Sequence, residues 1–149
     1  MFKKRGKKPP KKFKKPKGAT WIFFSYSTKD IKEFRIKQLA KVLEEFNEFD
    51  QVLTREEKTT DSIIEYKDYY IKNANALVLF CSKNSKISEA VQNEWQSAES
   101  TGIPIIPVFK NVNSVPALLR ARIGVNFTKN PLSNTIDKLH ENLLQNIVK

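Results

Sequence analysis

NALVLFCSKNSKISEAVQNEW, residues 75–95, decides how the rest of the chain is read. It opens on a short apolar run, Ala76 to Cys81, bounded by polar turn residues. That is the pattern of a strand covered on both faces, as in a parallel sheet. A Ser/Lys/Asn loop follows, and a helix begins near Ser88. Along this helix Val91, Trp95 and Ala98 recur at i, i+4 and i+7, so that face packs on the sheet. Glu94 lies about 60° from Val91 at 3.6 residues per turn, which puts it on the rim of the buried face. A carboxylate just beyond the C-terminal end of a central strand stands where open α/β folds place ligand chemistry.

Working outward, Thr20–Tyr26 (TWIFFSY) is β-branched and aromatic and reads as a first strand. Ser27 with Asp30 three residues later has the form of a helix N-terminus, a side-chain oxygen taking a free backbone N–H. The first helix then runs to about Asn47, with Ile36, Leu39, Ala40, Leu43 and Phe46 on its apolar face. Residues 51–54 form a short second strand, and Arg55–Asp61 (REEKTTD) a charged loop. Ser62 with Glu65 is a capping box opening a second helix, with Ile63, Tyr66 and Tyr70 turned inward. Gly102 ends the helix that carries Glu94.

Ile103–Phe109 (IPIIPVF) is a fourth strand. Its two prolines cannot donate to a ladder, so it lies near a sheet edge or has interrupted pairing. A helical turn or two begins at Pro116, residues 125–127 form a fifth strand, and residues 131–148 a final helix striped by Ile136, Leu139, Leu143 and Ile147. Five strands alternating with helices through short loops indicate a single three-layer α/β domain with a mainly parallel sheet. There are no internal repeats.

With 149 residues the chain suits one domain with a sizeable core. The formal charge of +11 is uneven, since ten of the 27 Lys and Arg fall in residues 1–17, which hold no acid. The remainder, 17 cations against 16 acids, is nearly neutral. Residues 1–18 therefore read as a disordered Lys-rich tail and residues 19–149 as the domain. No apolar stretch follows the charges, so the tail is not a secretory signal. It can attract nucleic acid or an anionic membrane surface weakly and in a salt-dependent way, or serve only to solubilise.

Cys81 is the only cysteine, which excludes an intrachain disulfide and fits a reducing, cytoplasmic setting. At the end of a buried strand it reads as a small hydrophobe. No run of 18 apolar residues is present to span a membrane. His140, the only histidine, sits beside the stripe of the last helix without a ligand partner at helical spacing. No GxGxxG or GxxxxGK[ST] occurs, so neither dinucleotide nor P-loop grip is supported. With one His and one Cys, a His-dependent triad and a zinc cluster both lack members. No acidic cluster at the ends of strands one and three suggests a Mg²⁺–phosphate site.

What remains is a group of residues at the C-terminal ends of the strands: Ser25, Tyr26 and Ser27, the Arg55–Asp61 loop, Ser82 and Glu94. FFSYSTKD followed by an amphipathic helix, then VLFCSKNSKISEAVQNEW, then GIPIIPVF, resembles the TIR (Toll/interleukin-1 receptor-like) domain of the stand-alone prokaryotic type. The resemblance covers about residues 19–148. It implies a flavodoxin-like fold and one of two functions. Many such domains cleave NAD⁺ at the nicotinamide–ribose bond, giving nicotinamide and ADP-ribose or a cyclic isomer, and are activated by self-assembly. Others only build signalling complexes by homotypic TIR–TIR contacts, through the loop after strand two.

Breaking a bond to an already cationic pyridinium needs no general acid, because the leaving group departs neutral. The site must stabilise an oxocarbenium-like ribose and hold its hydroxyls, and one preoriented carboxylate does both. By the match to the family motif, Glu94 is the expected catalytic residue. Ser25, Tyr26, Ser27 and Ser82 are expected near the ribose or diphosphate, with Arg55 and Lys58 receiving phosphate oxygens. NAD⁺ enters as substrate, and neither a cofactor nor a metal is expected. Trp95 reads as core rather than as a stacking platform. Catalytic members often carry an aromatic residue four positions before the glutamate; Ala90 stands there in this chain.

Overall fold

The computed structural model describes residues 14–54 and 67–147. Five strands, β1 (Trp21–Ser25), β2 (Gln51–Leu53), β3 (Ala76–Cys81), β4 (Ile105–Phe109) and β5 (Val125–Asn126), form one sheet. Their order is β2-β1-β3-β4-β5, and every neighbouring pair is parallel. The helices are α1 (Ile36–Glu44), α2 (Lys67–Asn73), α3 (Lys83–Ile87), α4 (Glu89–Thr101) and α5 (Leu132–Asn146).

Two apolar layers sandwich the sheet because alternate strand residues point to opposite faces. On one face Ile22, Phe24, Val78, Phe80, Ile106 and Val108 pack with Ile36, Leu39 and Leu43 of α1 and Leu139 and Leu143 of α5. On the other, Trp21, Phe23, Leu77, Leu79 and Ile105 pack with Tyr70 and Ile71 of α2 and Val91, Trp95 and Ala98 of α4. This is the expected three-layer α/β architecture, with β3 buried along its whole length. The order 2-1-3-4-5 is that of flavodoxin-like folds, which bind ligands outside the C-terminal ends of β1 and β3, where the winding reverses.

Three local features depart from the sequence reading. The first helix is not continuous from Asp30. A 3₁₀ turn spans Thr28–Asp30, Arg35 takes a left-handed conformation at φ 52°, and regular helix starts only at Ile36. Phe34 and Ile36 are both in the core, at 2% and 0% exposure. On a regular helix residues two apart point about 200° from each other, so the break lets both face the sheet. The loop after β3 is helical, because Ser82 and Ser85 cap each other: Ser85 N donates to Ser82 Oγ at 3.0 Å and Ser82 N to Ser85 Oγ at 2.9 Å. The turn beginning at Pro116 is a single 3₁₀ turn, Ala117–Leu119, preceded by another at Val112–Ser114.

Pro104 precedes β4, its carbonyl accepting from Leu77 N at 2.9 Å, and Pro107 sits where pairing is interrupted. Phe109 O faces β5 and accepts from Phe127 N at 2.7 Å. Pro107, two residues back, faces the same side before β5 has begun, so its missing N–H leaves no ladder bond broken. Gly102 closes α4 at φ 92°, donating to the Ala98 and Glu99 carbonyls. Of the Lys-rich N-terminal segment, residues 14–18 are among those described. There Lys15 is clasped to the end of α2, its Nζ donating to Asn73 O and Asn75 Oδ1, each at 2.8 Å. The charged loop 55–61 and the capping box at Ser62 lie outside the described residues.

Candidate functional site

β1 ends on Ser25, which by strand alternation follows Trp21 and Phe23 onto the face covered by α2 and α4. It is completely buried, and its Oγ donates to Glu94 Oε1 at 2.6 Å. Glu94 comes to this point because Ser88 caps α4, its Oγ accepting from Val91 N, and because Val91, Trp95 and Ala98 anchor the helix against the sheet. Expected on the rim of that face, Glu94 is in fact only 1% exposed. Among the described residues α2 contributes to the cover, Lys67 placing Nζ 3.3 Å from Glu94 Oε2. The Glu94 side chain is fully shielded, while that of Lys67 is 29% exposed.

A charged carboxylate out of water requires donors and a counter-charge. Ser25 supplies a donor on the sheet side, and Lys67 a counter-charge on the side of α2. Sequence reading missed Lys67. The signal was present: Lys67 stands three and four residues before the buried Tyr70 and Ile71, hence on the same helix face.

A second polar cluster forms where β1 and β3 end. Asp30, 3% exposed, accepts from the Ser82 hydroxyl on Oδ2 and from Asn84 Nδ2 on Oδ1 at 2.8 Å. Ser27 caps the turn that carries Asp30, its Oγ accepting from Lys29 N at 3.2 Å. Ser82 and Ser27 are thus brought to one carboxylate-centred junction, and Ser25 to another around Glu94. Tyr26 goes elsewhere: it is wholly buried in the opposite core layer, edge-on to Phe80 at 6.5 Å. Arg55 and Lys58 lie outside the described residues.

Other residues singled out in the sequence have structural surroundings. Cys81 is buried, and desolvation pushes its thiol up to about 12, outweighing a backbone hydrogen bond from Val108 and the charge of Lys86. His140 stacks on Phe46 at 3.7 Å between centroids, and its Nε2 lies 3.1 Å from Glu48. Ala90 is exposed. Trp95 is core, and its Nε1 is a buried donor without a partner among the described residues. Among the described residues, no three His, Cys, Asp or Glu side chains gather as a metal ion would require, and no helix is long and apolar enough to cross a membrane.

Comparison with known proteins agrees with this architecture. Of the curated proteins, none matches the sequence. Among solved structures, the TIR domain of a Toll-related receptor from Hydra magnipapillata superposes with a TM-score of 0.58. It is 14% identical, over 83% of this chain and 97% of that one. A prokaryotic SEFIR domain gives a TM-score of 0.57 at 16% identity, over 84% of this chain and 92% of the other. At such identities the likeness is one of fold. The family model for the TIR domain matches residues 22–144, from the second residue of β1 nearly to the end of α5. This chain belongs to the TIR domain family.

Proposed function

We propose that the chain cleaves NAD⁺ between nicotinamide and ribose, with Glu94 as the catalytic carboxylate. The reading rests on one observation: a carboxylate buried to 1% exposure at the switch point of a parallel sheet, held at 2.6 Å by a strand hydroxyl. A residue on a solvated helix face would not be so placed, because its desolvation costs several kcal/mol, roughly, unless something in function or structure offsets it.

In the reaction the C1′–N bond breaks and its electron pair leaves with the nicotinamide nitrogen. Glu94 stabilises the positive charge that develops on the ribose and accepts from its hydroxyls; its effect is large where water is excluded. A water then adds hydroxide to C1′ and releases its proton, giving ADP-ribose, or an internal nucleophile closes a cyclic isomer. Ser25 fixes the carboxylate. Ser27 and Ser82 line the neighbouring mouth of β1 and β3, on the side where the diphosphate would lie. Besides water, NAD⁺ is the only small molecule this scheme needs.

A second reading, a non-catalytic module that assembles with copies of itself, is favoured by the apolar surface. Ile87, Leu118 and Ile123 are each about four-fifths exposed. Incubating the concentrated protein with NAD⁺ and following nicotinamide separates the two. Release by the wild type and none by Glu94→Ala supports cleavage. Absence of release from the wild type, with assembly that survives Glu94→Ala, supports the module.

A further inference from the structure

The Lys-rich segment has a fixed point of entry into the fold. Lys15 N donates to the Tyr69 hydroxyl, and its Nζ to Asn73 O and Asn75 Oδ1, each at 2.8 Å. Asn75 Oδ1 also accepts from Trp21 N, the first residue of β1, and the Lys15 ammonium lies 6.0 Å from the Trp21 ring centroid. Gly18, at φ 81°, then turns the chain into β1, with Ala19 N donating to Pro16 O at 3.1 Å. Burial pulls the Lys15 ammonium below its ordinary value, against the opposing charge of Asp50. These contacts lie where β1 and β3 begin. Ser25 with Glu94, and Asp30 with Ser82, lie where those strands end, roughly 15 Å away along β1.

By sequence, residues 1–13 carry six Lys and Arg5, no acid, and Phe2 and Phe13. Exposed Lys14, Lys17 and Lys72 extend this charge onto the described surface around the clasp. Such a run is attracted to any polyanion, and the residue types decide between them. Lysine is a compact point charge suited to a diffuse layer of anionic headgroups, whereas the forked guanidinium that reads nucleic acid occurs once among the seven. A phenylalanine near each end of the run supplies apolar rings that enter the boundary between headgroups and acyl chains. A segment that only solubilised would need no clasp. We propose that the Lys-rich segment docks the chain on an anionic lipid surface and that the Lys15 clasp sets its orientation. The amino ends of the strands then face the lipid, and the Glu94 edge faces solution. This docking stands whether or not the site at Glu94 cleaves NAD⁺.

Co-sedimentation of the full chain with phosphatidylcholine vesicles, with and without phosphatidylserine at about one lipid in four, tests the docking. Binding should require phosphatidylserine and fall at least about tenfold when salt rises from about 0.1 M to about 0.5 M. Deletion of residues 2–13 should lower it at least about a hundredfold. No binding, binding that survives the deletion, or half-saturation on duplex DNA at a lower phosphate concentration than on the vesicles overturns the proposal; the last outcome assigns the segment to nucleic acid. For the orientation, Lys72→Cys, beside the clasp, and Lys83→Cys, at the carboxyl end of β3, each carry an environment-sensitive dye, while buried Cys81 stays unlabelled. On vesicles the dye at position 72 should shift to shorter wavelength and the dye at 83 should not; equal responses overturn the orientation. In Lys15→Met/Tyr69→Phe, which keeps every cation of residues 1–14, binding should stay within about twofold while the contrast between the dyes is lost. A contrast that persists, or binding lost as far as on deletion, overturns the role of the clasp.

Discussion

Ser25 Oγ and Glu94 Oε1 lie 2.6 Å apart, although 69 residues separate them, and both side chains are sealed from solvent. A hydrogen bond to a buried charged group contributes more than a neutral one, and losing it leaves the carboxylate short of a donor. Ser25→Ala should lower stability by about 1–3 kcal/mol in urea unfolding. It should also slow nicotinamide release by about tenfold, the equivalent of about 1.4 kcal/mol of transition-state stabilisation. A variant as stable and as active as the wild type would show that the contact neither orders nor tunes Glu94.

Asp30 ties the end of β1 to the start of α3 through Ser82 and Asn84. Asp30→Ala strands both donors at a nearly buried junction and should cost about 2–3 kcal/mol. Ser27→Ala removes only the cap of a short 3₁₀ turn and should cost about 1 kcal/mol or less. Chemical denaturation of the two variants side by side checks the ranking; equal costs would mean that the Asp30 cluster holds nothing.

Cys81 makes the fold sensitive to alkali. Its thiol titrates at about 12 in the native state against an ordinary value of 9.0, because burial disfavours the thiolate. Above the ordinary value the unfolded chain loses this proton first, so it binds fewer protons than the native state and stability falls as pH rises. The contribution is whole below pH 9 and is lost above it at up to about 1.4 kcal/mol per pH unit. Cys81→Ala should flatten the decline between pH 9 and 10 in thermal melts. In the native wild type, a thiol reagent should react only on unfolding; rapid labelling at neutral pH would contradict the burial.

Gly124 is set where β5 turns in beside β4. A Cβ there would lie 2.7 Å from the Pro107 carbonyl oxygen and 3.0 Å from the Phe109 ring. Gly124→Ala should therefore push β5 away from β4 and lower stability by about 1–3 kcal/mol. A variant with an unchanged melting temperature would show that this edge has slack.

Sequence alone located β3 residue for residue, together with the helix face of Val91, Trp95 and Ala98, because an apolar run and a 3.6-residue period report directly on burial. Glu94 was legible as a candidate but not as a buried ion. Its depth depends on Lys67 and Ser25, which reach it from 27 and 69 residues away, and no local pattern encodes such pairings. The break at Arg35 was hidden for a related reason: the helical period from Ile36 onward is strong, and only the joint burial of Phe34 and Ile36 demands a left-handed residue between them. Tyr26 was grouped with Ser25 by adjacency, whereas the pleat sends the two to opposite faces.

The most direct measurement is nicotinamide release from NAD⁺ by concentrated wild-type protein and by Glu94→Gln, which keeps the shape and one acceptor but removes the charge. Turnover by the wild type and a loss of at least about a hundredfold in the variant, with its fold intact by circular dichroism, is the expected result. A folded Glu94→Gln that releases nicotinamide as fast as the wild type, or a wild type that releases none, would contradict the assignment of Glu94.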